Sequence, residues 1–194
     1  MDSPYVRPLP TVLTAWFLSV GVDLFLHGGL LARLYVVPSG FVLPADQAFR
    51  RIPFGYLAFL LVTAALFWIC RRVEVRGVGA GWRHGFVIGI VLWGALVLGL
   101  YSISTAGVPL LVGRWLGQAV ELGAAGGVIG GLAAGVSFRR MLLWVTMIVF
   151  VLLVLTVALQ SLGIAPAMRV AETQEARPPM RSHLSSPQAR VNSE

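Results

Sequence analysis

The sequence predicts an all-α fold: a polytopic transmembrane helical bundle of about five spans, with a short interfacial segment and a disordered C-terminal tail. Three observations predict it. The 194-residue chain is 57% hydrophobic and 12% charged, with a mean hydropathy of +0.83. Soluble domains carry about 25% charged residues, twice that level. Several apolar runs are long enough to cross a hydrocarbon core about 30 Å thick. The basic residues gather in the short connections between those runs, as the positive-inside rule expects.

The formal net charge is +7, and all 15 Lys-plus-Arg positions are Arg. A codon bias toward GC explains that more plainly than a need for guanidinium chemistry. Because the excess lies between spans, it does not point to nucleic acid. The single cysteine, Cys70, excludes an intrachain disulfide and any multi-cysteine metal site. It reads as a small apolar residue where a span meets a basic loop.

The first span is predicted from about Thr11 to Val37. It begins after Arg7 and could be mistaken for a signal peptide. The run is too long for a signal h-region, contains Asp23 and His27, and ends without an A-x-A-like site, so an uncleaved helix is expected. Pro38, Ser39 and Gly40 end it. Arg33, near that end, can snorkel to the headgroups and lies off the Asp23/His27 face. Between Pro38 and Pro53 the chain mixes Phe41, Val42, Leu43, Phe49 and Ile52 with an Asp46/Arg50 pair at i,i+4 spacing. A short interfacial helix after Pro44 is expected there.

The second span runs from about Phe54 to Cys70, with Tyr56 and Trp68 near its ends. Arg71 to Gly85 forms the most basic loop. The third span covers about Phe86 to Ser104 and carries Gly89, Gly94 and Gly99. The fourth covers about Leu110 to Ser137 and holds Arg114, Gln118 and Glu121. It also carries Gly123, Gly127, Gly131 and Gly135 at four-residue spacing, with Gly126 and Gly130 beside that line. The fifth, Met141 to Ile164, is uncharged and equally apolar all round, which suits a lipid-facing helix at the bundle edge. Residues 1–164 thus form the bundle. The tail, 165–194, is rich in Pro, Ser, Arg, Gln and Glu and reads as disordered. Arg7, Arg71, Arg72, Arg76, Arg83, Arg139 and Arg140 share one side if the N-terminus is cytoplasmic, which favours that orientation.

Two spans carry candidate chemistry. Asp23 and His27, four residues apart, project from one helix face. On the fourth span, Arg114, Gln118 and Glu121 fall within about 60° of one another, and the four spaced glycines fall on the opposite half. That helix therefore has a polar face and a smooth face, and it is expected to be central. The smooth face allows close packing, within the bundle or in a homodimer. Ionisable groups at bilayer depth are costly, so they turn inward and are functional candidates. Asp23 and Glu121 both sit near mid-span, so Asp23, His27, Gln118 and Glu121 are expected to meet inside the bundle. A carboxylate receiving a His N–H, or a neutral carboxylic acid, lowers the cost of that burial.

Three readings of the cluster stay open here. It is a hydrogen-bonded network fixing helix register, or it lines a path for protons or a small solute, or it binds a metal. One His with two carboxylates is a sparse metal motif, so no metal or other cofactor is expected. Walker, GxSxG, HExxH and CxxC motifs are absent from the sequence. An enzyme would have only the Asp/His/Glu set to work with, and enzymatic activity is not the expectation.

The run Asp23-Leu-Phe-Leu-His27-Gly28, followed by Leu30, Leu31 and Leu34-Tyr35, resembles the opening helix of small uncharacterised bacterial membrane proteins. These are families of domain-of-unknown-function type with a D-x-x-x-H-G first helix. Gly117-Gln118-Ala-Val-Glu121 is similar to the polar start of a late helix in such proteins. The resemblance spans about residues 11 to 137. It implies a compact helical membrane fold and supplies no activity; a bacterial cytoplasmic membrane is the expected location. Two functions are therefore carried forward. One is handling of a proton, ion or small solute at the buried cluster. The other is a non-catalytic accessory or scaffold role in a larger membrane complex, with the bilayer and a membrane-protein partner or second copy as contacts.

Overall fold

The computed structural model describes residues 7–36, 43 and 45–166. Among these residues every regular element is helical. They are α1 (Pro8–Phe25), a π turn (Leu26–Leu30), α2 (Arg33–Val36), α3 (Ala45–Arg72), α4 (Val78–Ile103), α5 (Val108–Ala133) and α6 (Phe138–Ser161). Five stretches are long and apolar enough to cross a membrane: Pro8–Leu30, Arg50–Arg72, Val78–Ile103, Val108–Ala133 and Phe138–Ser161. The all-α, five-span architecture of a multi-pass membrane protein is therefore present. The tail expected to be disordered lies outside the described residues from 167 onward.

Helix α5 is the axis of the bundle. Its apolar window is 78% buried, against 11% for α4 and 17% for α6. It packs along α4, then α1, and more lightly on α3 and α6, while α6 rests mainly on α1. The core between α1, α3, α5 and α6 contains Leu18, Leu66, Phe67, Leu122, Ile129 and Val145. Helix α6 buries only the stripe Met141, Val145, Val149 and Thr156 and turns the rest outward. That is the edge position expected for it.

The α4–α5 contact is made backbone to backbone. Gly81 faces the Gly126 carbonyl, Gly85 the Leu122 carbonyl, and Gly130 the Gly77 carbonyl. The Gly77 N–H donates to Gly130 O at 2.8 Å. A Cβ on Gly89 would stand 2.7 Å from Ala119 Cα. Close approach of this kind recovers dispersion energy in lipid, where no hydrophobic force draws helices together.

Three of the four spaced glycines on α5 take packing contacts, and the tightest seam runs beside them. The seam follows Ala119, Leu122, Gly126 and Gly130. Gly123 and Gly127 receive Trp82 from α4, and Gly131 receives Met141 and Val78. Gly135 belongs to no packing face. Helix α5 stops at Ala133 because Gly135 turns left-handed at φ +93°. Its N–H donates to Leu132 O, and the Val136 N–H donates to Gly131 O, which completes a Schellman cap. A four-residue spacing in sequence cannot tell a packing stripe from the glycine that ends it.

Other boundaries moved for local reasons. Helix α4 begins eight residues before Phe86 and takes in Arg83 and His84, so the basic loop shrinks to residues 73–77. Gly77, Gly81 and Gly85 allow that early start, since they let the first turns lie on α5. The interfacial helix expected before Pro53 is the opening of α3, which runs through Pro53 without a break. Helices in lipid tolerate such a proline more readily than soluble ones. The side chain of Asp46, proposed to pair with Arg50, lies outside the described residues.

Candidate functional site

Helix α1 does not continue as a plain helix to residue 37. At Leu26 it widens into one π turn, closed by the Leu31 N–H donating to Leu26 O at 2.6 Å. Gly28 and Gly29 permit this, because α6 presses on the turn through Thr156 and Leu159. Gln160 Nε2 of α6 donates to Gly28 O at 3.0 Å. Single π turns are rare and recur at functional sites. This one holds His27 and leads, through α2, to Tyr35.

The four residues expected to meet do meet. His27 Nε2 lies 3.3 Å from Glu121 Oε1 and 3.8 Å from Asp23 Oδ1. Gln118 Nε2 donates to Glu121 Oε1 at 3.3 Å. One ligand atom from each of Asp23, His27 and Glu121 falls within 4.8 Å of the other two. The Asp23 and His27 side chains are 17% and 15% exposed, while Glu121 is sealed at 2%. Glu121 is therefore sealed inside the bundle, while Asp23 and His27 on α1 are only partly covered. Arg114, two turns before Glu121, does not join it; the residue is exposed.

Residues not expected at the cluster complete the site. Tyr35 Oη is 2.6 Å from His27 Nδ1, and the two rings meet edge to face at 5.5 Å. That contact fixes the imidazole so that Nε2 points at the carboxylates. Gly117 makes room for the ring, since a Cβ there would stand 3.1 Å from Nε2. Ser19 Oγ donates to the Glu121 carbonyl at 3.2 Å and ties α1 to α5 beside the cluster. Arg33 stays off the site, as expected. It donates from Nε to Ile164 O at 2.8 Å, on the chain just after α6.

Two atoms at the centre have no hydrogen-bond partner among the described residues: His27 Nε2 and Glu121 Oε2. A network built only to fix helix register should satisfy its buried members, because each orphaned group costs about 1–3 kcal/mol. The set is instead arranged around a gap between one imidazole nitrogen and two carboxylates. Such a set can hold a cation, or pass a proton between its members by small side-chain rotations.

Comparison of the chain with protein-family models, with curated proteins and with solved structures finds no match.

Proposed function

We propose that this chain is an integral membrane protein that binds and transfers a small cation, a proton or a metal ion, at Asp23, His27 and Glu121. One observation carries the proposal: a 98%-hidden carboxylate faces an imidazole and a second carboxylate across a span interior, with Glu121 Oε2 unpaired among the described residues. Carboxylate and His groups at this depth mark ion and proton pathways in membrane proteins. Anionic or neutral solutes suit the site less well, since two carboxylates repel the former and the small gap leaves little room for the latter. We place the chain in a bacterial cytoplasmic membrane with its N-terminus inside. His27, near the far end of the first span, then lies toward the outer half of the bilayer, away from the Arg71, Arg72, Arg76 and Arg83 end.

The test is flux in proteoliposomes carrying a pH-sensitive or metal-sensitive dye. Wild type is expected to dissipate an imposed cation gradient. Asp23→Asn and Glu121→Gln should fall to the level of protein-free vesicles. Equal flux in all three proteins would remove the transfer role. The second function, an accessory subunit, is supported by the outward apolar faces of α4 and α6. Val91, Leu98, Ile103, Leu143 and Phe150 are among their exposed residues, and these would seat a partner helix as readily as lipid. Purification as a lone monomer in mild detergent would count against it.

A further inference from the structure

We infer that the Asp23–His27–Glu121 set is a binding site for one divalent first-row transition-metal cation, of the Zn²⁺, Co²⁺ or Mn²⁺ type. This rests on the cation-handling function proposed above and names the cation.

The first support is geometric. Bonds of about 2.0–2.2 Å to imidazole nitrogen and carboxylate oxygen set ligand atoms about 3.4 Å apart around a tetrahedral metal. The imidazole-to-Glu121 separation is already 3.3 Å, and the imidazole-to-Asp23 separation is 3.8 Å. Rotation of the Asp23 carboxyl closes the remaining few tenths of an ångström. The third edge is no longer than 4.8 Å.

The second is the unsatisfied chemistry at the centre. His27 Nε2 and Glu121 Oε2 are buried with no hydrogen-bond partner among the described residues. Glu121 is one of the most deeply buried side chains in the bundle. In the tautomer whose Nδ1–H donates to the Tyr35 oxygen, Nε2 presents a lone pair toward the two carboxylates. Three lone pairs facing one another repel unless a proton or a metal cation sits among them.

The third is the surrounding shell. Histidines that ligate metals donate their other ring N–H to an oxygen, which fixes the tautomer and strengthens the ligand. Tyr35, at 2.6 Å from Nδ1, stands in that place. Gln118 holds the inner oxygen of Glu121 in the same way. Gly117 keeps the coordinating face of the ring clear of any Cβ.

The last support is charge. When both are ionised, two carboxylates beside a neutral imidazole carry minus two, a charge that one divalent cation offsets next to the exposed Arg114. Uncompensated charge in a low-dielectric interior is expensive, so neutrality of the filled site matters more here than in water. The imidazole selects among divalent cations. Mg²⁺ and Ca²⁺ prefer shells made wholly of oxygen, whereas mixed nitrogen and oxygen donors suit the first-row transition metals.

The full chain, purified in mild detergent and stripped with chelator, is titrated with Zn²⁺ by calorimetry and with Co²⁺ by visible absorption. One ion per chain is expected, unaffected by excess Mg²⁺. His27→Gln and Glu121→Gln should abolish the stoichiometric step and the Co²⁺ bands. Tyr35→Phe keeps all three ligands and should weaken binding about 10-fold or more. His84→Gln, on α4 and outside the cluster, should bind as wild type does. Far-UV circular dichroism confirms that each variant is folded. Absence of stoichiometric Zn²⁺ on folded wild type overturns the inference, as does wild-type affinity in His27→Gln and Glu121→Gln. Should the ligand variants fail to fold, wild-type affinity in Tyr35→Phe overturns it instead. Proton flux without Zn²⁺ binding would leave the proposed function standing and remove the metal. Zn²⁺ binding with flux unchanged in Glu121→Gln would do the reverse.

Discussion

Helix α5 presents two interfaces that solve opposite problems. Toward α4 it has given up side chains: Gly126 and Gly130 meet Gly81 and Gly77 at backbone contact, and the seam is filled. Toward α1 it carries Gln118 and Glu121, and the polar atoms there are left incompletely paired. Both faces belong to one rigid helix, so a tight seam on one side fixes the position of the reactive groups on the other. The lesson is a division of labour. The glycine seam holds the geometry, and the polar interface keeps the unsatisfied valence.

That comparison breaks most sharply at the seam. Gly126→Val should give the largest effect. Its side chain would be driven into the Gly81 carbonyl, and neither backbone can retreat without moving the helix. A loss of about 3 kcal/mol, the upper range for overpacking, is expected in thermal or denaturant unfolding in detergent. Loss of the cluster's metal step should accompany it if the seam positions Glu121.

Next comes Gly135→Ala. The left-handed φ of +93° favours glycine, and nothing lies within 4 Å of the added methyl. The cost should be about 1 kcal/mol and come from the backbone alone. Unfolding midpoints of Gly135→Ala and Gly126→Val separate a cap from a packing residue. Equal losses in the two would contradict the assignment.

Gln160→Leu removes the bond to Gly28 O that braces the π turn. Hydrogen bonds between membrane helices average about 0.6 kcal/mol, so stability should fall slightly. The clearer readout is Zn²⁺ affinity, which should weaken because His27 is carried on that turn. The smallest change is expected from Gly99→Ala. It lies in the helical interior of α4 with open space around it, and a gain of up to about 1 kcal/mol should follow from helix propensity. A loss there would mean that α4 has a neighbour on its outer face.

Much of this was legible in the residues alone. Five apolar stretches define the spans, since length and hydropathy depend only on composition along the chain. The convergence of Asp23, His27, Gln118 and Glu121 followed from helical spacing and from the cost of exposing charge to lipid. Tyr35 was harder to place. It lies eight residues past His27, beyond a π turn and a break, and an unbroken helix would not have carried it onto Nδ1. Gln160 reaches the site from a span with no charge to mark it. Of the spaced glycines, Gly123, Gly127 and Gly131 do receive neighbouring side chains, but the closest backbone seam runs beside them through Gly126 and Gly130, which differ only in which neighbour they meet. That distinction lives in tertiary packing. Gly117 opened a recognisable motif without its role as space for a ring being visible, and Ser19 acts through a backbone carbonyl, which leaves no pattern in sequence.

The meeting of α1 and α5 at His27 and Glu121 can be measured directly. In a His84→Gln, His183→Gln chain only one histidine remains. With ¹⁵N-labelled histidine and ¹³C-carboxyl-labelled glutamate in lipid bilayers, dipolar recoupling should show a short contact between that ring and a glutamate carboxyl. The contact should match the 3.3 Å between Nε2 and Oε1 and disappear in Glu121→Gln. A ring without any nearby carboxyl, or a contact that survives Glu121→Gln, would contradict the site.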